Sequence, residues 1–360
     1  MATIRPLHPI QPAISPDSAD EFHRQLASPL SPSSISSPSN HSPKKYAVYQ
    51  HYPSRTAVAS HETVESTEPR ISPLRSAVRE LSAEFIGTML FMIVGLGVNC
   101  QNTLTSSSQV SSAPKGNYAT VSLAWGTGLA LGAWVSSGIS GGHLNPVVTL
   151  VQAIFRGFSW KKVPGYMLAQ VLGACVGAGL IYANYYIAIN VYEGGVGIKT
   201  VPGTASLFAT FPADYMPNAL CFYNEALGTF LLVFVVLAVT DKRNGVAPGF
   251  IVPLALFMVL LSASASIGSQ TGFALNPARD LGPRLLCWFV GYGREMWNYR
   301  AQYWLYAPIM GPFVGGLVAA TVYDLLLYTS EGNIFFSYYH RFTKDSVEAA
   351  ENSTSHTTIG

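Results

Sequence analysis

Six apolar stretches of about twenty residues recur between residues 81 and 323, and each is long enough to cross a bilayer as a helix. A chain built this way reads as a polytopic helical membrane protein. Charged residues make up 11% of the 360 and hydrophobic ones 49%, where a soluble domain carries about a quarter charged, and that shortage argues against a soluble enzyme. The 21 Lys and Arg against 19 Asp and Glu leave a net charge of +2, too little to suggest a nucleic-acid or acidic-substrate partner. Cys100, Cys175, Cys221 and Cys287 form no C-x-x-C pair and no His/Cys spacing of a metal site. They read as small apolar packing residues, and neither a metal nor another cofactor is expected.

The spans fall at about 78–99, 118–138, 163–188, 218–240, 248–268 and 302–325. The connections near 156–162 (Arg156, Lys161, Lys162) and 241–243 (Asp241, Lys242, Arg243) are short and basic, and Arg70, Arg75 and Arg79 precede the first span. An excess of Lys and Arg marks the cytoplasmic side, so both termini are expected inside and the loops at 100–117, 189–217 and 289–300 outside. Arg294 and Arg300 in the last loop run against the rule. Residues 1–75, rich in Ser and Pro without apolar periodicity, read as a disordered cytoplasmic tail. Its six Ser-Pro pairs, from Ser15-Pro16 to Ser72-Pro73, are candidate substrates for proline-directed kinases. Residues 76–328 hold the spans, as repeats at about 76–200 and 217–328, and 329–360 form a second cytoplasmic tail. The residues after Met1 do not have the pattern of a cleavable signal peptide, so the first span is expected to act as the targeting signal. The sequons at Asn40 and Asn352 fall on the tails, where they would go unused.

Two apolar pieces remain, at about 145–155 and 276–290, too short to span and better read as re-entrant half-helices. Each opens with Asn-Pro: Asn is a favoured N-cap, and Pro is tolerated at the first helical position. Each follows irregular backbone, Ser140-Gly141-Gly142-His143-Leu144 and Thr271-Gly272-Phe273-Ala274-Leu275. Such backbone survives at membrane depth only where it lines a cavity or is buried in protein. The chain also repeats itself, Glu84-Phe85-Ile86-Gly87-Thr88 in the first span matching Glu225-Ala226-Leu227-Gly228-Thr229 in the fourth. Three spans and one half-helix occur twice, and because three is odd the second copy enters from the opposite side. The fold class expected is an all-α membrane protein of six transmembrane helices and two half-helices in an inverted repeat.

Paired Asn-Pro half-helices within an inverted repeat resemble the major intrinsic protein family, the aquaporins and aquaglyceroporins, over about residues 78–328. The family's two Asn-Pro-Ala boxes match Asn145-Pro146-Val147 and Asn276-Pro277-Ala278, with Val147 in place of Ala, a change expected to alter packing between the half-helix tips. The resemblance implies one pore per subunit and a homotetramer in the lipid bilayer. Asn145 and Asn276 would offer N–H donors to the permeant, and the carbonyls of Gly141, Gly142, His143, Gly272, Phe273 and Ala274 would offer acceptors along one wall. The family's selectivity residues fall on Trp125, Ser264, Phe273 and Arg279. Trp and Phe with a small residue in the fifth helix resemble glycerol facilitators, whereas water-selective members resemble a filter with His there. Ser264 departs from the usual Gly and would narrow and polarise the site. Asp280, Arg284, Pro308 and Ile309 fit the glycerol-facilitator pattern as well.

Glu84 and Glu225 resemble the family's structural glutamates, which accept hydrogen bonds from the irregular loops; a proton relay is the other reading. His143 is expected to brace its loop, a pH switch or metal ligand being the alternative. The function implied is a passive plasma-membrane channel for glycerol and water, not an enzyme. A water or hydrogen peroxide channel with little polyol flux is the alternative within the fold. A proton-coupled transporter using Glu84 and Glu225 is the rival from another class, and a regulatory platform built on the long tail is a third.

Overall fold

All regular structure among the described residues is helical, as long uncharged runs require when lipid supplies no hydrogen bonds to the backbone. The computed structural model describes residues 73–245, 249, 251–329 and 333. Five of the six Ser-Pro pairs and Ser72 of the sixth, both sequons and nearly all of the two expected tails therefore lie outside the described residues. In chain order the helices are α1 (Pro73–Leu104), α2 (Tyr118–Ser140), α3 (Pro146–Phe155), α4 (Val163–Glu193), α5 (Asn218–Thr240), α6 (Ile251–Ile267), α7 (Pro277–Cys287) and α8 (Gly311–Leu326). Short turns at Thr204–Leu207, Trp288–Tyr292, Glu295–Asn298, Tyr303–Leu305 and Tyr306–Met310 lie between them. Val78–Leu104, Val163–Glu193, Asn218–Thr240 and Tyr303–Leu326 are long and apolar enough to cross a membrane, and Pro146–Phe155 and Ile251–Ile267 are shorter apolar helices. Leu123, Leu168, Leu180, Leu254, Met258 and Val318 point outward, the distribution expected of helices whose outer solvent is lipid.

Local signals set the ends. Asn117 caps α2, its Oδ1 accepting from Thr120 N at 3.0 Å while Thr120 Oγ1 accepts from Asn117 N at 3.3 Å. Gly141, at φ 93°, ends the same helix in the left-handed region. Two sequence expectations need correction. The first helix starts at Pro73, inside the stretch assigned to the tail, and outruns the expected 78–99 at both ends, because good helix formers such as Arg75 before it and Gln101 after it propagate a helix beyond the apolar run. The last span is not one α-helix: Tyr303–Leu305 leads into a wide π turn at Tyr306–Met310 before α8 begins. Pro308 and Pro312 lack the N–H an α-helix needs there and crowd the preceding turn.

The packing is duplicated. α1 lies against α2 and α4 as α5 lies against α6 and α8; α7 rests on α4 as α3 rests on α8; and α2 meets α6 across the centre. Small residues allow equivalent close crossings: a Cβ on Gly173 would collide with Phe85 O of α1, and one on Gly315 with Ala226 O of α5. Phe85 and Ala226 each follow a repeated glutamate. Glu84 accepts from Ser140 Oγ (2.6 Å), His143 N (2.9 Å), Leu144 N (2.8 Å) and Gln170 Nε2 (2.8 Å). Glu225 accepts from Thr271 Oγ1 (2.6 Å), Ala274 N (3.0 Å) and Leu275 N (2.9 Å). Both side chains are wholly buried. Each carboxylate thus ties down the irregular strand that leads to one Asn-Pro.

Replacing Glu84 by Leu leaves four buried donors without their acceptor, at about 1–3 kcal/mol for each unsatisfied group. The expected outcome is loss of monodisperse protein on size-exclusion chromatography in detergent, with Glu84→Gln retaining part of it because one carbonyl oxygen still accepts.

Candidate functional site

The two half-helices meet through their first residues. Asn145 Oδ1 accepts from Val147 N at 2.8 Å, and Asn276 Oδ1 accepts from Ala278 N at 3.0 Å, so each side chain caps its own helix. Each amide then reaches across: Asn145 Nδ2 donates to Leu275 O at 3.0 Å, and Asn276 Nδ2 to Leu144 O at 2.7 Å. This refines the sequence expectation that both amides are free for a permeant, since one of the two hydrogens on each nitrogen joins the boxes and one is left. Leu144 and Leu275 accept those bonds from the left-handed region, at φ 51° and 49°, a conformation costly to a branched side chain. Pro146 and Pro277 sit at the first helical positions, both buried. Val147 packs toward α8, where its Cγ1 fills the space a Cβ on Gly316 would take.

Two cavities flank this junction. The larger, of about 690 Å³, takes in Asn145, Asn276, Gly141, Gly142, His143 and Ala274 and opens among Arg156, Lys242 and Arg243. The smaller, of about 270 Å³, takes in Asn99, Tyr118, Gly272, Phe273 and Arg279. Helical spacing locates what separates them. On α2, Val121 lines the smaller cavity and Leu129 the larger, with Trp125 one turn from each. Along α6 and its continuation, Leu260 lines the larger and Gly268 the smaller, with Ser264 one turn from each. Trp125 and Ser264 therefore share one level between the cavities, and Phe273 and Arg279, which line the smaller one, reach it through Trp125. The Arg279 guanidinium carbon lies 4.2 Å from the Trp125 ring centroid. Phe273 stands against Trp125 at 5.8 Å with the ring planes 84° apart. Trp125 lies so close to α1 that a Cβ on Gly95 would overlap its ring.

Arg279 is buried, donates from Nη1 to Phe208 O at 3.2 Å, and has no partner for Nε among the described residues. It makes no ion pair with its neighbour Asp280. Adjacent helical residues diverge, and Asp280 instead pairs with Arg284 one turn on, Nε to Oδ2 at 2.7 Å, with both side chains wholly buried. Asp280 Oδ1 also accepts from Thr210 N and Oγ1 at 2.7 and 2.6 Å, while Arg284 donates to Met296 O and Thr210 O at 2.9 and 2.8 Å. This pair sits beside Arg279 and fixes the loop that offers Phe208 O to it. His143 contacts Thr149 Oγ1 through Nδ1 at 3.2 Å and packs on Phe158 and Tyr166, which braces its loop. Pro308 is buried and Ile309 half-buried in the wide turn before α8. Among the described residues no cluster of His, Cys, Asp or Glu is arranged to hold a metal.

Sequence reasoning missed several neighbours of Trp125 and Ser264. Trp125 Nε1 donates to Asn99 Oδ1 at 3.0 Å, and Asn99 Nδ2 donates to Leu207 O at 3.2 Å. Ser264 Oγ lies 2.8 Å from Ser122 Oγ. Asn99 and Ser122 belong to no motif; only their helical register, one turn from Gly95 and three residues before Trp125, pointed toward them.

Residues 72–323 match the family model of the major intrinsic proteins. The chain belongs to that family. This major intrinsic protein is 50% identical over 262 residues to Aquaporin-6 of Laccaria bicolor, which covers 73% of this chain and 84% of that one. It is 46% identical over 255 residues to Aquaglyceroporin-2 of Rhizophagus irregularis, with 70% and 78% covered. Among solved structures it is similar to the X-ray structure of the aquaglyceroporin from Plasmodium falciparum, with a TM-score of 0.61 and 29% identity over 70% of this chain and 97% of that one. The family is one of membrane channels rather than enzymes.

Replacing Arg284 by Met leaves the Asp280 carboxylate buried without its cation, a change that costs about 3–5 kcal/mol. The expected outcome is a lower thermal unfolding midpoint in detergent, partly restored when Asp280→Asn is added.

Proposed function

We propose that this major intrinsic protein is a passive channel for glycerol and water, with Trp125, Ser264, Phe273 and Arg279 as its filter. The observation that carries the reading is the guanidinium of Arg279 held 4.2 Å from the Trp125 ring, with Phe273 perpendicular to it, at the level between the two cavities. Two rings at right angles make an apolar corner for the CH groups of a three-carbon polyol, while the Arg279 guanidinium offers donors to its hydroxyls. The remaining hydrogens of Asn145 and Asn276 and the carbonyls of Gly141, Gly142, His143, Gly272, Phe273 and Ala274 continue the exchange of water hydrogen bonds for protein ones. The converging N-terminal ends of α3 and α7, together with the Arg279 charge, oppose protons and cations. The relatives named as aquaglyceroporins support a polyol as permeant. Glu84 and Glu225 spend their oxygens on the loops, which argues for a structural role and against proton coupling. A homotetramer in the plasma membrane, with the basic loops and both tails cytoplasmic, completes the proposal.

Stopped-flow light scattering on proteoliposomes tests it. Glycerol flux is expected to follow its gradient linearly, and accumulation driven by an imposed proton gradient would overturn the channel reading. Ser264→His fills the space the polyol needs while leaving a donor that water can use, so glycerol permeability is expected to fall about tenfold or more and water permeability much less. Replacing Arg279 by Val removes the fixed charge, and a proton or cation leak is expected to appear.

A further inference from the structure

Ser264 stands where a smaller residue would leave the constriction wider and less polar, so what its hydroxyl does decides how the site presents itself. The hydroxyl lies 2.8 Å from Ser122 Oγ on α2, and both residues are buried. Ser122 Oγ also donates to Tyr118 O at 3.0 Å. A serine has one hydrogen to give. With both contacts made at once, the hydrogen of Ser122 goes to the Tyr118 carbonyl and Ser264 is the donor between the two hydroxyls. The single hydrogen of Ser264 is thereby directed into the α2–α6 interface. Tyr118 secures the same residue from the other side, its Oη donating to Ser264 O at 3.0 Å. One turn further along α2, Gly126 lies so near α6 that a Cβ there would press on Phe257 O, which keeps the two helices close enough for the hydroxyls to meet.

We propose that Ser122 is a positioning residue for selectivity: by accepting the hydrogen of Ser264 it withholds a donor from the constriction, so the chain keeps an apolar corner there despite carrying a serine. The inference rests on the filter assignment proposed above. Without Ser122 the Ser264 hydroxyl turns toward the path, adds a donor there and narrows the space open to a polyol.

The test is a double-mutant cycle on glycerol and water permeability in proteoliposomes, comparing wild type, Ser122→Ala, Ser264→Ala and the double variant. The expected result is that Ser122→Ala lowers glycerol permeability about threefold or more and shifts water permeability about twofold, and that neither shift appears when Ser264 is already Ala. A merely structural role for Ser122 would give the same shift in both backgrounds, and that result, or no shift in either, overturns the proposal. Glycerol flux with no coupling between the two sites removes this inference and leaves the polyol channel standing. A channel that passes only water but shows the coupling in its water permeability does the reverse.

Discussion

The arrangement depends on a contact that electrostatics alone disfavours. Two helix N-termini, each with the positive end of its dipole, point at one another. They are held by two reciprocal bonds, Asn145 Nδ2 to Leu275 O and Asn276 Nδ2 to Leu144 O. Each asparagine serves two ends at once, its oxygen capping its own half-helix and its nitrogen fastening the other. The same charge that the bonds must overcome remains directed at whatever occupies the neighbouring space. A structural difficulty and, in the proposed channel, a barrier to cations therefore have one source.

That junction is stable only because its approaches are fixed elsewhere. Leu144 and Leu275 sit in the left-handed region, where a leucine is strained. Their backbone N–H groups are held by Glu84 and Glu225, buried on α1 and α5. The carboxylates in turn are supplied with donors from the loops, so that neither is left bare in an apolar surrounding. Duplication explains the economy of the arrangement, since one solution for binding an irregular strand serves both halves.

Much of this was legible in the sequence because membrane folds leave coarse marks. Uncharged runs gave the spans, Asn-Pro gave the half-helices, and Glu-x-x-Gly-Thr exposed the repeat. The positions Trp125, Ser264, Phe273 and Arg279 followed from resemblance and spacing, and the structure packs Phe273 and the Arg279 guanidinium against Trp125. What the sequence did not reveal are bonds between residues distant in the chain. Asn99 is an ordinary polar residue at the end of a span until Trp125 is seen to donate to it. Ser122 is one of many small residues in α2, and its partner lies 142 positions away. The break before α8 was hidden for a different reason: apolar content locates a span, but the two prolines decide how its backbone is wound.

The unequal cavities have a consequence for how the path resists flow. Permeation through sections in series is governed by the section of greatest resistance, and along the proposed path a cavity of about 690 Å³ contributes little beside the level of Trp125. Side chains lining that wide space, such as Leu256 and Val236, are therefore under weak constraint from transport rate, though their packing still matters. A change at Gly95 or Phe208, which touch the narrow level from behind, carries far more weight than its distance from the axis suggests. In the proposed channel, throughput is set by the few atoms that fix the position of an indole and a guanidinium.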